Sequence, residues 1–208
     1  MVTPADSNQI REGKMMTLRI AIDFVIGLVT AVIAAVAFKK EDPAKVIPYF
    51  TVQSNLLCAI VSLVCAVWSL FAPEPFWLQI IKFAATCAVT VTFLTVFCYL
   101  GPRFRNWDFL LSGPNLWMHL ICPLLAIASL LLRAPLKWSF AIVFTGLVPE
   151  VLYALLYLKK VVLDPPEKRW DDLYGFTKGV SWFWSMIAMF SASFAISVGL
   201  WFLLGALK

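Results

Sequence analysis

The sequence predicts an all-α polytopic membrane protein, a six-transmembrane-helix bundle, and three observations carry that prediction. Hydrophobic residues make up 62% of the 208 and charged residues 14%, against roughly a quarter charged in a soluble domain. Mean hydropathy is +0.86. The apolar residues collect in six runs, each long enough to cross a hydrocarbon core of about 30 Å at ~1.5 Å per helical residue. Only helices and closed barrels satisfy their backbone in lipid, and runs without period-two alternation are helices.

The chain opens on a polar tail, Met1 to Met16, with Asp6, Arg11, Glu12 and Lys14. The tail lacks the apolar core and small-residue cleavage site of a secretory signal, so the first span is expected to act as its own membrane signal. That span covers 18–38 and stops at the charged break Lys39 to Lys45. Within it Asp23, Gly27, Ala31 and Ala35 recur at four-residue spacing, a small-residue face for helix packing. The second span, 48–71, ends at Ala72-Pro73-Glu74-Pro75, and the third, 76–100, ends at the segment 101–108 with Pro102, Arg103 and Arg105. The fourth, 114–132, is closed by Arg133-Ala134-Pro135. The fifth, 136–158, and the sixth, 180–204, flank the charged stretch from Lys159 to Lys178. In the last span Ser181, Ser185, Ala188 and Ala192 form a second small face. Residues 1–208 read as one transmembrane domain.

Six spans place both termini on one side of the membrane. The cations of the odd and even loops differ too little in number to set the orientation. Trp68, Trp77, Trp138 and Trp201 fall at one interface and Trp107, Trp117, Trp170, Trp182 and Trp184 at the other, as aromatic belts do. The net charge of +5 suits anionic lipid headgroups as partners, and no stripe of interleaved cations and aromatics points to nucleic acid. Cys58, Cys65, Cys87, Cys98 and Cys122 all lie inside spans, without the spacing of a metal site or a disulfide framework. No residue set asks for a cofactor.

His119 is the sole histidine, placed in the apolar stretch Pro114 to Pro123. An imidazole changes charge near neutrality and is the commonest general base, so an intramembrane histidine is a functional candidate by default. Pro123, four residues on, removes the helical donor of the His119 carbonyl and favours a local bend. The densest polar cluster within any span opens the second: Thr51, Ser54, Asn55, Cys58 and Ser62 share one helix face, which is expected to point into the bundle or a wet cavity. Two readings of this face stand. Thr and Ser bond back to their own helix and Asn ties helices together; alternatively, Thr51 is a nucleophile that needs a nearby base. Thr51 and His119 each lie about one turn inside a span from the same side, so their depths agree.

The Phe50-Thr51-x-x-Ser54-Asn55 segment and the His119-x-x-x-Pro123 segment resemble the androgen-induced-gene (androgen-dependent TFPI-regulating protein) family of six-helix membrane proteins and its microbial relatives. The resemblance implies a hydrolase of lipid metabolism that splits fatty acid esters of hydroxy fatty acids, with Thr51 as nucleophile and His119 as general base. Animal members of the family carry an Asp at the position that here is Ser54, and the microbial relatives often carry one at the position that here is Ser129, so neither place supplies a carboxylate to orient the imidazole.

Glu150, in Val148-Pro149-Glu150, is a second ionisable group inside a span, costing about 2.5–3.5 kcal/mol near the bilayer centre when unpaired. Two roles are open to it: a polar network near His119, or pairing with a group such as Lys82. Pro149 is expected to bend this span. Tyr153 offers a hydroxyl one turn away, and Asp23 is either an orienting or relay carboxylate or a structural hydrogen-bond partner. Asn55, Gln53 and Ser54 are candidate donors to an oxyanion. The sequence therefore supports an intramembrane lipid ester hydrolase, with a proton or small-solute carrier using Asp23, Glu150 and His119, or a regulatory membrane protein, as alternatives.

Overall fold

The computed structural model describes residues 4–133, 139–172 and 182–206. Six helices among the described residues are long and apolar enough to cross a membrane: Gln9–Lys40, Phe50–Ser69, Phe76–Phe104, Gly113–Leu131, Ile142–Leu163 and Trp182–Ala206. They are the first to sixth spans below. No strand occurs among the described residues, and the chain is a multi-pass membrane protein of the all-α class. Leu136, Lys137, Trp138, Lys178, Val180, Ser181 and Lys208 lie outside the described residues.

Polarity is distributed as lipid requires. Asp23, Lys82, Arg133 and Glu150 are 0–5% exposed, while Val32, Ile60, Leu152 and Phe202 are more than 60% exposed. In water that arrangement would strand charges inside and leave large apolar side chains in solvent; in a bilayer the apolar shell is solvated by acyl chains.

The third span is the axis of the bundle. Its apolar window is 61% buried, against 22% for the first and last, and it packs on the second, fourth, fifth and sixth spans. The first span lies against the second and fourth. One apolar layer joins the first four spans through Ile26, Cys58, Val61, Leu78, Val89 and Ala126. A second layer joins the third span to the fifth and sixth through Val91, Tyr153, Tyr157 and Met189.

Several boundaries move from the sequence reading. The first helix begins at Pro4, so the polar tail continues the helix, since nothing from Asp6 to Leu18 breaks it except Gly13. The third span runs four residues beyond Leu100, and the fifth extends to Leu163. π-helical turns occupy Val96–Leu100, Trp117–Ile121 and Leu158–Leu163. Each precedes a proline (Pro102, Pro123, Pro165) whose missing N–H and ring disturb the ladder behind it. Pro149 likewise separates Ile142–Thr145 from Val148–Tyr157 by a break at Gly146 and Leu147.

The two small-residue faces also shift. On the first span the buried set is Asp23, Ile26, Gly27 and Thr30, while Ala31 and Ala35 face outward. Gly27 belongs to the contact: a Cβ there would run into the Leu63 side chain. On the sixth span the buried residues are Ser193, Ser197, Leu200 and Leu204, with Ala188 and Ala192 exposed. Small size alone marks no face in a bundle of this kind; the helices meet where Gly27 and the serines admit a neighbour. Trp117, too, differs from its assigned belt role. Its Nε1 donates to Thr30 Oγ1 at 2.9 Å and its ring packs on the inner apolar layer.

Candidate functional site

Thr51 is the second residue of its helix, after Tyr49, which supplies the cap carbonyl but no side-chain cap bond. Val52 N–H and Gln53 N–H both donate to the Tyr49 carbonyl, at 3.1 and 3.2 Å. The Thr51 N–H has no acceptor among the described residues, as helix geometry leaves the first N–H groups without one. The Thr51 hydroxyl, on a half-buried side chain, also makes no hydrogen bond among them. Its carbonyl is well used: Asn55 Nδ2 donates to it at 2.8 Å and Ser54 Oγ at 3.2 Å.

Asn55 joins this turn to the histidine. The same Nδ2 donates to the Met118 carbonyl at 3.2 Å, so one amide clamps the opening turn of the second span to the π-turn that carries His119. Asn55 is 1% exposed, and its Oδ1 is buried without a partner.

His119 is 8% exposed, and its Nδ1 lies 2.8 Å from the Leu110 carbonyl. A carbonyl only accepts, so Nδ1 carries the hydrogen and Nε2 holds the free lone pair. Local sequence explains why that carbonyl is there. Asn106 caps the short helix Trp107–Leu110 by accepting from Phe109 N–H at 3.2 Å. Asn115 Nδ2 donates back to the Phe109 carbonyl at 2.9 Å. Gly113, at φ +51, makes the turn into the fourth span without strain. The Pro123-linked π-turn then re-aims His119 relative to a regular helix.

The other candidate donors are engaged. Gln53 Nε2 donates to the Ile47 carbonyl at 2.9 Å, and the Ser54 hydroxyl is shared between the Thr51 carbonyl and Thr92 Oγ1, 3.1 Å away. With Asn55 Nδ2 serving two carbonyls, the Thr51 N–H is a donor in this turn that has no acceptor among the described residues and is open to an oxyanion. Tyr153 donates its hydroxyl to the Pro48 carbonyl at 2.8 Å and packs its ring, tilted, against Phe50 with centroids 4.9 Å apart. It therefore braces the start of the second span.

Comparison with known proteins gives no relative. No family model, no curated protein and no solved structure matches this chain.

Asp23 sits in a different part of the bundle from His119. Its Oδ1 accepts from Lys82 Nζ and Ser129 Oγ, both at 2.7 Å, and its Oδ2 from Arg133 Nη2 at 2.9 Å. Ser129 is ten residues beyond His119, about 15 Å along a helix. Arg133 continues the network to Glu74, and Glu74 to Arg19. Lys82 is thus taken by Asp23, with Ser62 Oγ as a further partner at 2.6 Å. The pairing of Lys82 with Glu150 weighed from sequence is replaced by this one. Glu150, 1% exposed, has neither oxygen hydrogen-bonded among the described residues.

Two groups that sequence reasoning passed over matter here, the Leu110 and Met118 carbonyls. Both are backbone atoms, invisible to a search for polar side chains. The legible signals were indirect: a capping Asn106 ahead of Leu110, and Gly113 as the turn into the span.

Proposed function

We infer that the protein is an intramembrane hydrolase of lipid esters in which His119 takes the proton of Thr51 and Thr51 attacks the acyl carbon. The observation that carries the reading is the double hydrogen bond from Asn55 to the Thr51 and Met118 carbonyls, which holds the nucleophile's turn against the base's turn. Three further features support it. The Thr51 hydroxyl is uncommitted, the His119 tautomer is fixed with Nε2 open, and the Thr51 N–H stands at the positive end of a 20-residue helix. A threonine hydroxyl needs such a base because its own pKa lies far above neutrality.

In the reaction, His119 Nε2 accepts the hydroxyl proton as Thr51 Oγ1 bonds to the ester carbonyl carbon. The Thr51 N–H and the helix dipole stabilise the oxyanion. The ester C–O bond breaks, and the imidazolium returns its proton to the departing alkoxide. Water, deprotonated by the same Nε2, then releases the carboxylic acid and restores Thr51. The Leu110 carbonyl takes the orienting part that a carboxylate plays in a triad. Even parity of the spans would put both termini on one side, with the site near the opposite one. Membrane lipids supply the substrate laterally.

The test is covalent labelling by a fluorophosphonate probe in purified protein. Labelling is expected in the wild type and absent in both Thr51→Ala and His119→Ala with folding retained; a label that survives Thr51→Ala overturns the assignment. A second reading, a proton or small-solute carrier, is favoured by the buried ionic run Asp23, Lys82 and Arg133. Proton flux in proteoliposomes that requires Asp23 but tolerates Thr51→Ala would replace the hydrolase reading.

A further inference from the structure

Glu150 and Ser193 are two buried polar side chains that the Thr51 and His119 chemistry does not use. Each is 1% exposed, and Glu150 Oε1, Glu150 Oε2 and Ser193 Oγ all lack a hydrogen-bond partner among the described residues. Helix register brings them to one level. A Cβ added at Gly146 would meet Ser197 Oγ and Cys87 Sγ, so the third, fifth and sixth spans converge there, and Ser197 donates to Cys87 at 3.4 Å.

The fifth and sixth spans run antiparallel, because Ile142 shares a layer with Leu200 and Leu204 while Tyr153 and Tyr157 share one with Met186 and Met189. One turn on from Gly146 is Glu150, and one turn back from Ser197 is Ser193. Both sit on the buried face of their helices, so they occupy the layer between these two contacts. On the third span Thr90, three residues on from Cys87, donates its hydroxyl to the Thr86 carbonyl at 2.7 Å and offers no hydrogen outward.

A carboxylate without a donor is not sustained in hydrocarbon, where burial of an unpaired charge is far costlier than taking up a proton. Glu150 lies eight residues from Ile142 and thirteen from Leu163, about 12 and 20 Å at 1.5 Å per residue, so it stands well inside the span. We propose that Glu150 and Ser193 form a proton-binding site inside the bundle, a carboxylic acid that exchanges one proton and is open to modification by an apolar carbodiimide. No hydrogen bond joins the two side chains in the described conformation; turning of the Glu150 side chain within the shared layer lets its O–H donate to Ser193 Oγ when protonated, and lets the ionised carboxylate accept the Ser193 hydroxyl hydrogen. The titratable neighbours are the Cys87 thiol from the third span and Tyr153 and Tyr157 on Glu150's own helix. Tyr153 and Tyr157 donate to Pro48 and Asp172. The described part of the sixth span carries no charged residue, and Lys82 on the third is held by Asp23.

Dicyclohexylcarbodiimide tests the site. The acid proton moves to a carbodiimide nitrogen, the carboxylate oxygen bonds to the central carbon, and the O-acylisourea rearranges to a stable N-acylurea. In purified protein reconstituted in lipid nanodiscs, mass spectrometry should find the adduct on Glu150, with a yield that falls as pH rises, and Glu150→Gln should lose it. Ser193→Ala should retain labelling and move its pH midpoint upward, because the hydroxyl that stabilises the ionised form is gone. Absence of the adduct from Glu150 at every pH, or an unchanged midpoint in Ser193→Ala, overturns the proposal. Protection by sodium at constant pH also overturns it, in favour of a cation site. Labelling is read without any esterase assay, so the result is independent of the hydrolase reading.

Discussion

Lys82 Nζ lies 2.7 Å from Asp23 Oδ1, with neither side chain more than 1% exposed. The pair draws in Arg133 on the other Asp23 oxygen, the Ser129 hydroxyl on Asp23 and the Ser62 hydroxyl on Lys82, so four spans or their ends meet at one ion pair. Such a group tolerates lipid because each charge has a partner of opposite sign and the remaining lone pairs are filled.

Removing one member should therefore cost more than removing two. Lys82→Met is expected to destabilise the folded protein toward the lower end of the range of about 3–5 kcal/mol seen for breaking a buried pair, since Arg133 still neutralises Asp23. Asp23→Asn added to Lys82→Met should recover part of that loss. Thermal unfolding of the purified protein in detergent measures both, and a double variant less stable than Lys82→Met alone would contradict the pairing.

Asn55 is a positioning residue, so its loss should act on turnover. Asn55→Ala frees the Thr51 turn from the π-turn at Met118, and a displacement on the order of 1 Å costs about 100-fold in rate. The expected kinetic signature is a kcat lowered by about that factor with KM little changed. Removing the base in His119→Ala should cost roughly 100- to 10,000-fold. A steady-state assay on a chromogenic fatty acyl ester reads both, and equal effects of Asn55→Ala on kcat and KM in opposite directions would argue against positioning.

The six spans were legible because hydropathy needs only a window of neighbours, and the bend at Pro149 and the disturbed helix at Pro123 because proline acts on its own turn. Partner choice was not. Asp23 and Lys82 are 59 residues apart and Asp23 and Arg133 are 110 apart, and no local pattern says which buried charges will meet. The polar face of the second span was readable as a face, yet what each donor does there depends on the Met118 and Leu110 carbonyls. The outward turn of Ala31, Ala35, Ala188 and Ala192 has the same origin, since lipid and protein are equally apolar neighbours for alanine.

Gly146 gives a packing prediction that separates space from propensity. Gly146→Val would drive a branched side chain into Ser197 and Cys87 and should destabilise by about 1–3 kcal/mol, as overpacking does. Gly13→Ala, where nothing lies within 4 Å, should be neutral or slightly stabilising, since alanine favours a helix by about 1 kcal/mol over glycine. Comparative unfolding of the two variants checks the close approach of the third, fifth and sixth spans. A tolerated valine would mean that these helices are not in contact there.

Asp164 closes the end of the fifth span and provides a pH-dependent prediction outside the membrane-spanning segment. Lys159 Nζ donates to its Oδ1 at 2.8 Å, and Lys160 Nζ lies 3.0 Å from Oδ2. Hydrogen bonds from Lys159 and then Lys160 hold its carboxyl below the usual aspartate range. A folded pKa below the unfolded value of about 3.9 means that the contribution is complete above that pH and is lost as pH falls through the folded value. The turn it organises is marked by Arg169 Nε donating to the Asp164 carbonyl at 2.7 Å and Trp170 N–H donating to the Lys160 carbonyl at 2.9 Å. Hydrogen exchange should therefore show the Trp170 amide protected at neutral pH and less protected in Asp164→Asn. On acidification, the wild-type protection factor should fall until it meets that of the variant. A protection factor independent of both pH and Asp164→Asn would show that the carboxylate does not hold this turn.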